Sequence, residues 1–292
     1  MSALSAQVVA AVDDLELAAR LVVEGMRAGG HRSPYHGFSA EFSQHRPYRP
    51  GDDIKHLDWK LLARTDRLYT RQFHESTNLS VMLLVDTSAS MAFPEQGTTK
   101  FRTAVVLAAA LAHLVSRQGD SVGLTTSEEG TLVHLPARGG RPHLRTLIAQ
   151  LDRLKPAGSW APAAMIERGA GLLRRRGVLV VLSDLYDDEE ATRTALRRAA
   201  RRGHDVAILQ VFSEEERTLS WSGEFLVEDA ESGERRLVDA NSARTAYLQG
   251  VGAFLERCRE GARRDGIDYG LAVTDQPPSE ALRAFLLGRS AR

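Results

Sequence analysis

Little in this sequence marks a secreted, membrane-embedded or nucleotide-hydrolysing protein. A single cysteine, Cys258, rules out an intrachain disulfide. It falls on the apolar face Leu248, Val251, Leu255, Cys258 of an expected helix and reads as a small core hydrophobe. No run approaches the roughly 20 apolar residues of a membrane span. The richest stretch, Ala104 to Val115, is alanine-heavy and interrupted by His113. The first residues show neither a basic segment nor a long apolar one, so the expectation is a soluble cytoplasmic protein. Lysine plus arginine equals aspartate plus glutamate at 38 each, so no global field favours nucleic acid or an anionic membrane. The chain lacks G-x-x-x-x-G-K-[ST] and G-x-G-x-x-G, the usual phosphate cradles, and lacks a G-x-S-x-G nucleophile turn. Five histidines, His31, His36, His45, His56 and His74, crowd one region, but none forms a close ligand pair, which argues against zinc.

The 292 residues divide into three stretches. Residues 1–28 predict one amphipathic helix, with Leu4, Val8, Ala11, Leu15, Ala18 and Val22 as the stripe that packs on the rest of the chain, ended by Gly29-Gly30. Residues 29–79 are rich in His, Arg, Tyr, Pro and Gly. They read as a polar decoration packed on the main domain, with a short edge strand within Leu68–Phe73. Residues 80–292 alternate strands with helices. Leu79–Val85 and Val178–Leu182 are wholly apolar runs, as expected of strands buried on both faces of a parallel sheet. Helices are expected over Lys100–Arg117, around Leu144–Leu154, over Pro162–Arg176, up to Arg202 and over Ser242–Arg264. Further strands are expected at Ser121–Thr126, Thr131–Leu135, Val206–Phe212 and Tyr269–Val273, with a hairpin in Phe225–Val238 around Ser232-Gly233. The pattern predicts a doubly wound, mostly parallel α/β sheet.

Asp86, Ser88 and Ser90 follow the first apolar strand directly, and Asp184 closes the second. Ligands of open α/β sheets bind outside the carboxyl ends of strands, where strand order reverses. Carboxylates and hydroxyls are hard oxygen donors that suit Mg²⁺ or Mn²⁺. The same residues also serve as ordinary turn and capping groups, and residue type alone leaves both readings open. The lost groups of an Asp86→Ala variant are expected to face solvent.

Val85-Asp86-Thr87-Ser88-Ala89-Ser90-Met91 resembles the metal-ion-dependent adhesion motif, D-x-S-x-S, of von Willebrand factor type A domains. A second segment is more specific: Tyr48, Arg49, Pro50, Gly51, Asp52, Asp53, then Asp58, Trp59 and Arg64. With Gln118-Gly119-Asp120 and Leu182-Ser183-Asp184-Leu185, it resembles the bacterial domain-of-unknown-function family 58 over roughly residues 20 to 215. The resemblance implies a type A-like domain in which the serines hold the metal directly and the aspartates act through water. It also implies a MoxR-type AAA+ ATPase as partner. One departure stands out. Type A domains supply a threonine from a loop that here reads Pro156-Ala157-Gly158-Ser159-Trp160-Ala161-Pro162; an ungapped count puts Trp160 at that position, and a shift of one puts Ser159 there. Only Ser159 can ligate, so the expected set is Asp86, Ser88, Ser90, Ser159 and Asp184, with weak to moderate affinity. Asp52, Asp53, Asp58 and Arg64 read as an ion-paired brace anchored by Trp59, the competing reading being general acid and base. The expected function is metal-dependent protein binding, without catalysis. The alternative is a Mg²⁺-dependent phosphatase or other hydrolase; a phosphatase would place a second carboxylate where Ser88 stands, and no lysine is evidently placed to neutralise phosphate.

Overall fold

A computed structural model describes residues 5–28, 45–47, 69–71, 79–128, 130–173 and 175–290. The centre is a six-stranded sheet in the order β10-β7-β6-β3-β4-β5. Its strands are β3 (Ser80–Val85), β4 (Ser121–Glu128), β5 (Thr131–Arg138), β6 (Val178–Ser183), β7 (Asp205–Phe212) and β10 (Asp268–Val273). All neighbours run parallel except β4 and β5, which form an antiparallel edge. Two further ladders are separate from it: β1 (His45–Pro47) with β2 (Tyr69–Arg71), and β8 (Glu224–Glu228) with β9 (Arg235–Asp239). β2 lies within the stretch expected to hold an edge strand.

Alternation along β3 splits its side chains between two cores. Val81, Leu83 and Val85 join one, and Met82 and Leu84 the other. The first core is closed by α1 (Ala6–Ala10), α2 (Leu15–Ala28), α3 (Lys100–Arg117), α4 (Arg141–Arg153) and α9 (Pro278–Ser290). The second is closed by α5 (Pro162–Leu172), α6 (Glu189–Arg201) and α8 (Ala240–Arg264), which leaves α7 (Glu214–Thr218) as a short turn after β7. Helices on both faces explain why the two central strands carry no polar alternation. The alanines of α3, buried from Ala104 to Ala112, let α2 lie across it. α2 also packs against α9, where a side chain on Gly25 would meet Ser279. Among the described residues, no helix is long and apolar enough to cross a membrane.

The structure corrects three expectations. The described part of the first stretch, residues 5–28, holds two helices where one was expected. The Asp14 carboxylate accepts from Leu17 N and so starts α2 afresh, while Val8 and Ala11, expected in the stripe, are exposed. α5 stops at Leu172, because Leu173 turns to extended backbone and buries its side chain in the second core. α9 had no sequence counterpart; Leu282, Phe285 and Leu286 bury it. Cys258 is half-buried at the edge of the second core, and burial, with Glu189 nearby, pushes its thiol up to about 11.

Candidate metal site

β3 and β6 are neighbours, with Val85 opposite Leu182, so Asp86 and Asp184 emerge side by side at their carboxyl ends. The chain leaves β3 through α3 on one face and leaves β6 through α6 on the other. That divergence opens the crevice expected at a switch point.

The side chains that meet there form one contiguous run of polar contacts. Asp86 Oδ1 accepts from Ser88 N at 2.8 Å and from Ser88 Oγ at 2.7 Å. Ser88 Oγ lies 3.0 Å from Ser90 Oγ, and Ser90 Oγ donates to Asp184 Oδ2 at 3.0 Å. Ser183 Oγ donates to Asp86 Oδ2. The loop is braced on both sides. Thr87 Oγ1 donates to the Ser127 carbonyl, Thr126 Oγ1 donates to Val85 O at 2.6 Å, and Gln210 Nε2 donates to Asp184 O at 2.8 Å. Leu185, directly after Asp184, takes a positive φ of 61°, a strained conformation for a branched side chain held by its neighbours.

Asp86, Ser88 and Asp184 are buried, which overturns the expectation that the Asp86 carboxylate faces solvent. Access comes through half-buried Ser90, which lines a cleft of about 840 Å³ beneath the β8–β9 hairpin. Phe93, Tyr186, Trp221, Phe225 and Phe254 form its aromatic walls. Tyr186 stacks on Phe254 with ring centres 5.1 Å apart. At the hairpin turn, exposed Glu231 has its carboxyl raised by partial desolvation and by the charges of Asp184, Asp187 and Asp229.

Burial, reinforced by the charge of Asp184, pushes the Asp86 carboxyl up to about 7, although Ser183 and Ser88 pull it down. Asp184 is treated differently. The buried Lys100 ammonium donates to its Oδ2 at 2.7 Å and to Glu216 Oε1 at 2.7 Å. Burial alone depresses the lysine's pKa, but the two carboxylates outweigh it and hold it above the ordinary value. Lys100 was missed by sequence reasoning, which found no lysine at the site. Its one sequence signal is an unfavourable position: a cation in the first turn of a helix opposes the dipole.

Ser159 and Trp160 part company. The loop is tied to the site by its backbone, with Ala89 N donating to Gly158 O and Ala157 N to Thr87 O, both at 2.8 Å. Trp160 is buried with Met82 and Leu84 in the second core and does not enter the site. Ser159 is exposed, and no hydrogen bond joins it to the four central side chains among the described residues. Tyr48, Arg49, Pro50, Gly51, Asp52, Asp53, Asp58, Trp59 and Arg64 lie outside the described residues.

The donor chemistry fits a small divalent cation: two serine hydroxyls between two carboxylates, opening on one side to solvent. Among the described residues no three His, Cys, Asp or Glu side chains gather as a metal cluster, so neutral hydroxyls would carry much of the coordination.

Comparison with known proteins supports the α/β architecture. An aerotolerance-related membrane protein of Bacteroides fragilis superposes with a TM-score of 0.51 at 19% identity, over 73% of this chain and all of that one. The SpRpn10 VWA domain aligns more loosely, with a TM-score of 0.42 at 13% identity, over 70% of this chain and 93% of that domain, and adds no weight to the architecture. In sequence, an uncharacterized protein of Mycobacterium tuberculosis is 33% identical over 227 residues, 77% of this chain and 71% of that protein. The uncharacterized protein YeaD of Bacillus subtilis is 30% identical over 148 residues, 49% of this chain and 34% of its own length. The profile of the family described as "Protein of unknown function DUF58" matches residues 44–253, and the chain belongs to that family.

Proposed function

We propose that this protein is a divalent-cation-dependent protein-binding module and that its partner is an AAA+ ATPase of the MoxR type, as the family resemblance implies. The observation that carries the reading is the contiguous cluster of Asp86, Ser88, Ser90 and Asp184 at the ends of neighbouring strands, opening through Ser90 into an aromatic cleft. Ser88 and Ser90 would hold Mg²⁺ or Mn²⁺, with Asp86 and Asp184 in support; Ser159 would complete the set only by turning inward. Once bound, such an ion offers an open coordination position to a carboxylate of the partner. The cleft beside it offers apolar surface to the residues around that carboxylate.

Binding is favoured over hydrolysis by the same geometry. The position two residues after Asp86, where a phosphatase of this topology places its general acid, is Ser88, and its hydroxyl is already committed to Asp86. The test has two halves. Calorimetry with Mg²⁺ should give saturable heat that is lost in Asp86→Ala. A pull-down with a purified MoxR-type ATPase should weaken in EDTA. Partner binding that is indifferent to EDTA, with no heat from Mg²⁺, would defeat the metal half and leave a bare docking domain.

A further inference from the structure

Lys100 begins α3, where unsatisfied backbone N–H groups make a cation least welcome, yet its side chain is only 1% exposed. Its ammonium lies 2.7 Å from Asp184 Oδ2, 2.7 Å from Glu216 Oε1 and 5.2 Å from the centre of the Tyr186 ring. The same Asp184 Oδ2 accepts from Ser90 Oγ, the hydroxyl that opens to the cleft. One carboxylate oxygen is therefore shared between the cation site and a cation that the chain supplies itself. Glu216 is held as a second acceptor by a capping box: Ser213 N and Oγ both donate to its Oε2 at 3.0 Å, leaving Oε1 for the ammonium.

We propose that Lys100 is the resident cation of the site, neutralising Asp184 when no metal is bound and shifting toward Glu216 when a divalent ion claims Asp184. The inference rests on the metal reading above and concerns how that site is regulated. It explains how two neighbouring buried acids coexist in the metal-free protein, since removing one charge of a buried pair is strongly unfavourable. It makes divalent binding a competition with a tethered monovalent charge. It also links occupancy of the site to α7, which carries Glu216 and precedes the hairpin that roofs the cleft.

The experiment is calorimetric titration of the full chain with Mn²⁺, and separately with Mg²⁺, on wild type, Lys100→Met and Glu216→Gln. Lys100→Met should bind at least about tenfold more tightly, because a like charge a few ångströms from the ion is gone. Its melting temperature should fall in EDTA and recover further on adding Mn²⁺ than that of wild type. A merely structural lysine would not raise affinity when removed. Glu216→Gln should bind roughly threefold or more weakly, because the ammonium loses its alternative charged partner. If Lys100→Met does not fold, Glu216→Gln decides the matter, since its side chain is partly exposed and the amide oxygen can keep the cap. Binding by wild type with unchanged affinity in the variants, or with the opposite signs, overturns this inference alone. Heat from none of the three proteins overturns the metal reading and this inference with it.

Discussion

The central strands and the β8–β9 hairpin are both written as short apolar-rich segments, yet they are held by different forces. In β6 every residue is buried, and in β3 every one after Ser80. In the hairpin none of the strand residues is buried. Its shape comes from turn chemistry instead. The Asp229 carboxylate accepts from Glu231 N, Ser232 N and Ser232 Oγ, and Arg235–Glu228 and Arg236–Glu234 pair on its surface. Phe225, Val227 and Val238 face the cleft, while Leu226 and Leu237, opposite each other across the ladder, point outward at 62% and 69% exposure. The difference teaches where this molecule stores stability and where it displays surface. The sheet fixes the position of Asp86 and Asp184, and the hairpin shapes what can approach them.

The largest effect should come from the sheet. Leu84→Ala removes a side chain packed against Gly169 in the second core and should cost about 2–5 kcal/mol, read by urea denaturation. A smaller loss would mean that the core collapses easily around the site. Next comes the boundary between the two regions. Asp86 keeps its proton in the folded state up to about pH 7, whereas the unfolded chain releases it near 3.8. Its contribution is therefore fully present below about pH 4 and is lost as pH rises toward 7. Denaturation midpoints in EDTA should show this decline, at most about 1.4 kcal/mol per pH unit, and Asp86→Asn should flatten it. A slope unchanged by that substitution would assign the pH dependence to other groups. The smallest effect belongs to the hairpin. Leu226→Ser or Leu237→Ser should change stability by no more than about 0.5 kcal/mol. A loss above about 2 kcal/mol in either would erase the contrast and place the hairpin in the core.

Much of this architecture was legible because burial writes itself into local sequence. Two apolar runs closed by acids gave β3, β6 and the adjacency of Asp86 and Asp184. Ser232-Gly233 gave the hairpin turn. What stayed hidden depends on partners distant in the chain. Lys100 meets acids 84 and 116 residues away, and only the fold brings them together. Counting along the loop could not show that Trp160 turns into the core while Ser159 stays outside, because one residue of register decides it. The break between α1 and α2 was missed because the helical period runs on across a side chain, Asp14, that caps the second helix.

The contact between α2 and α9 has a kinetic consequence. Gly25 and Ser279 face each other where α2 packs on α9, across 279 minus 25, or 254, residues, so the first core is completed only when both ends of that span have found each other. Closing so long a loop costs little more at equilibrium than closing a shorter one, since the entropy grows with the logarithm of length. It is slow, however, because most intervening contacts must form before the closure is rewarded. During synthesis, α2 can settle on α3 first, but the face it turns toward α9 would stay open until α9 arrives. In a refolding experiment, the last protection from amide exchange to appear should therefore be that of α2 and α9 together, after the central strands have closed.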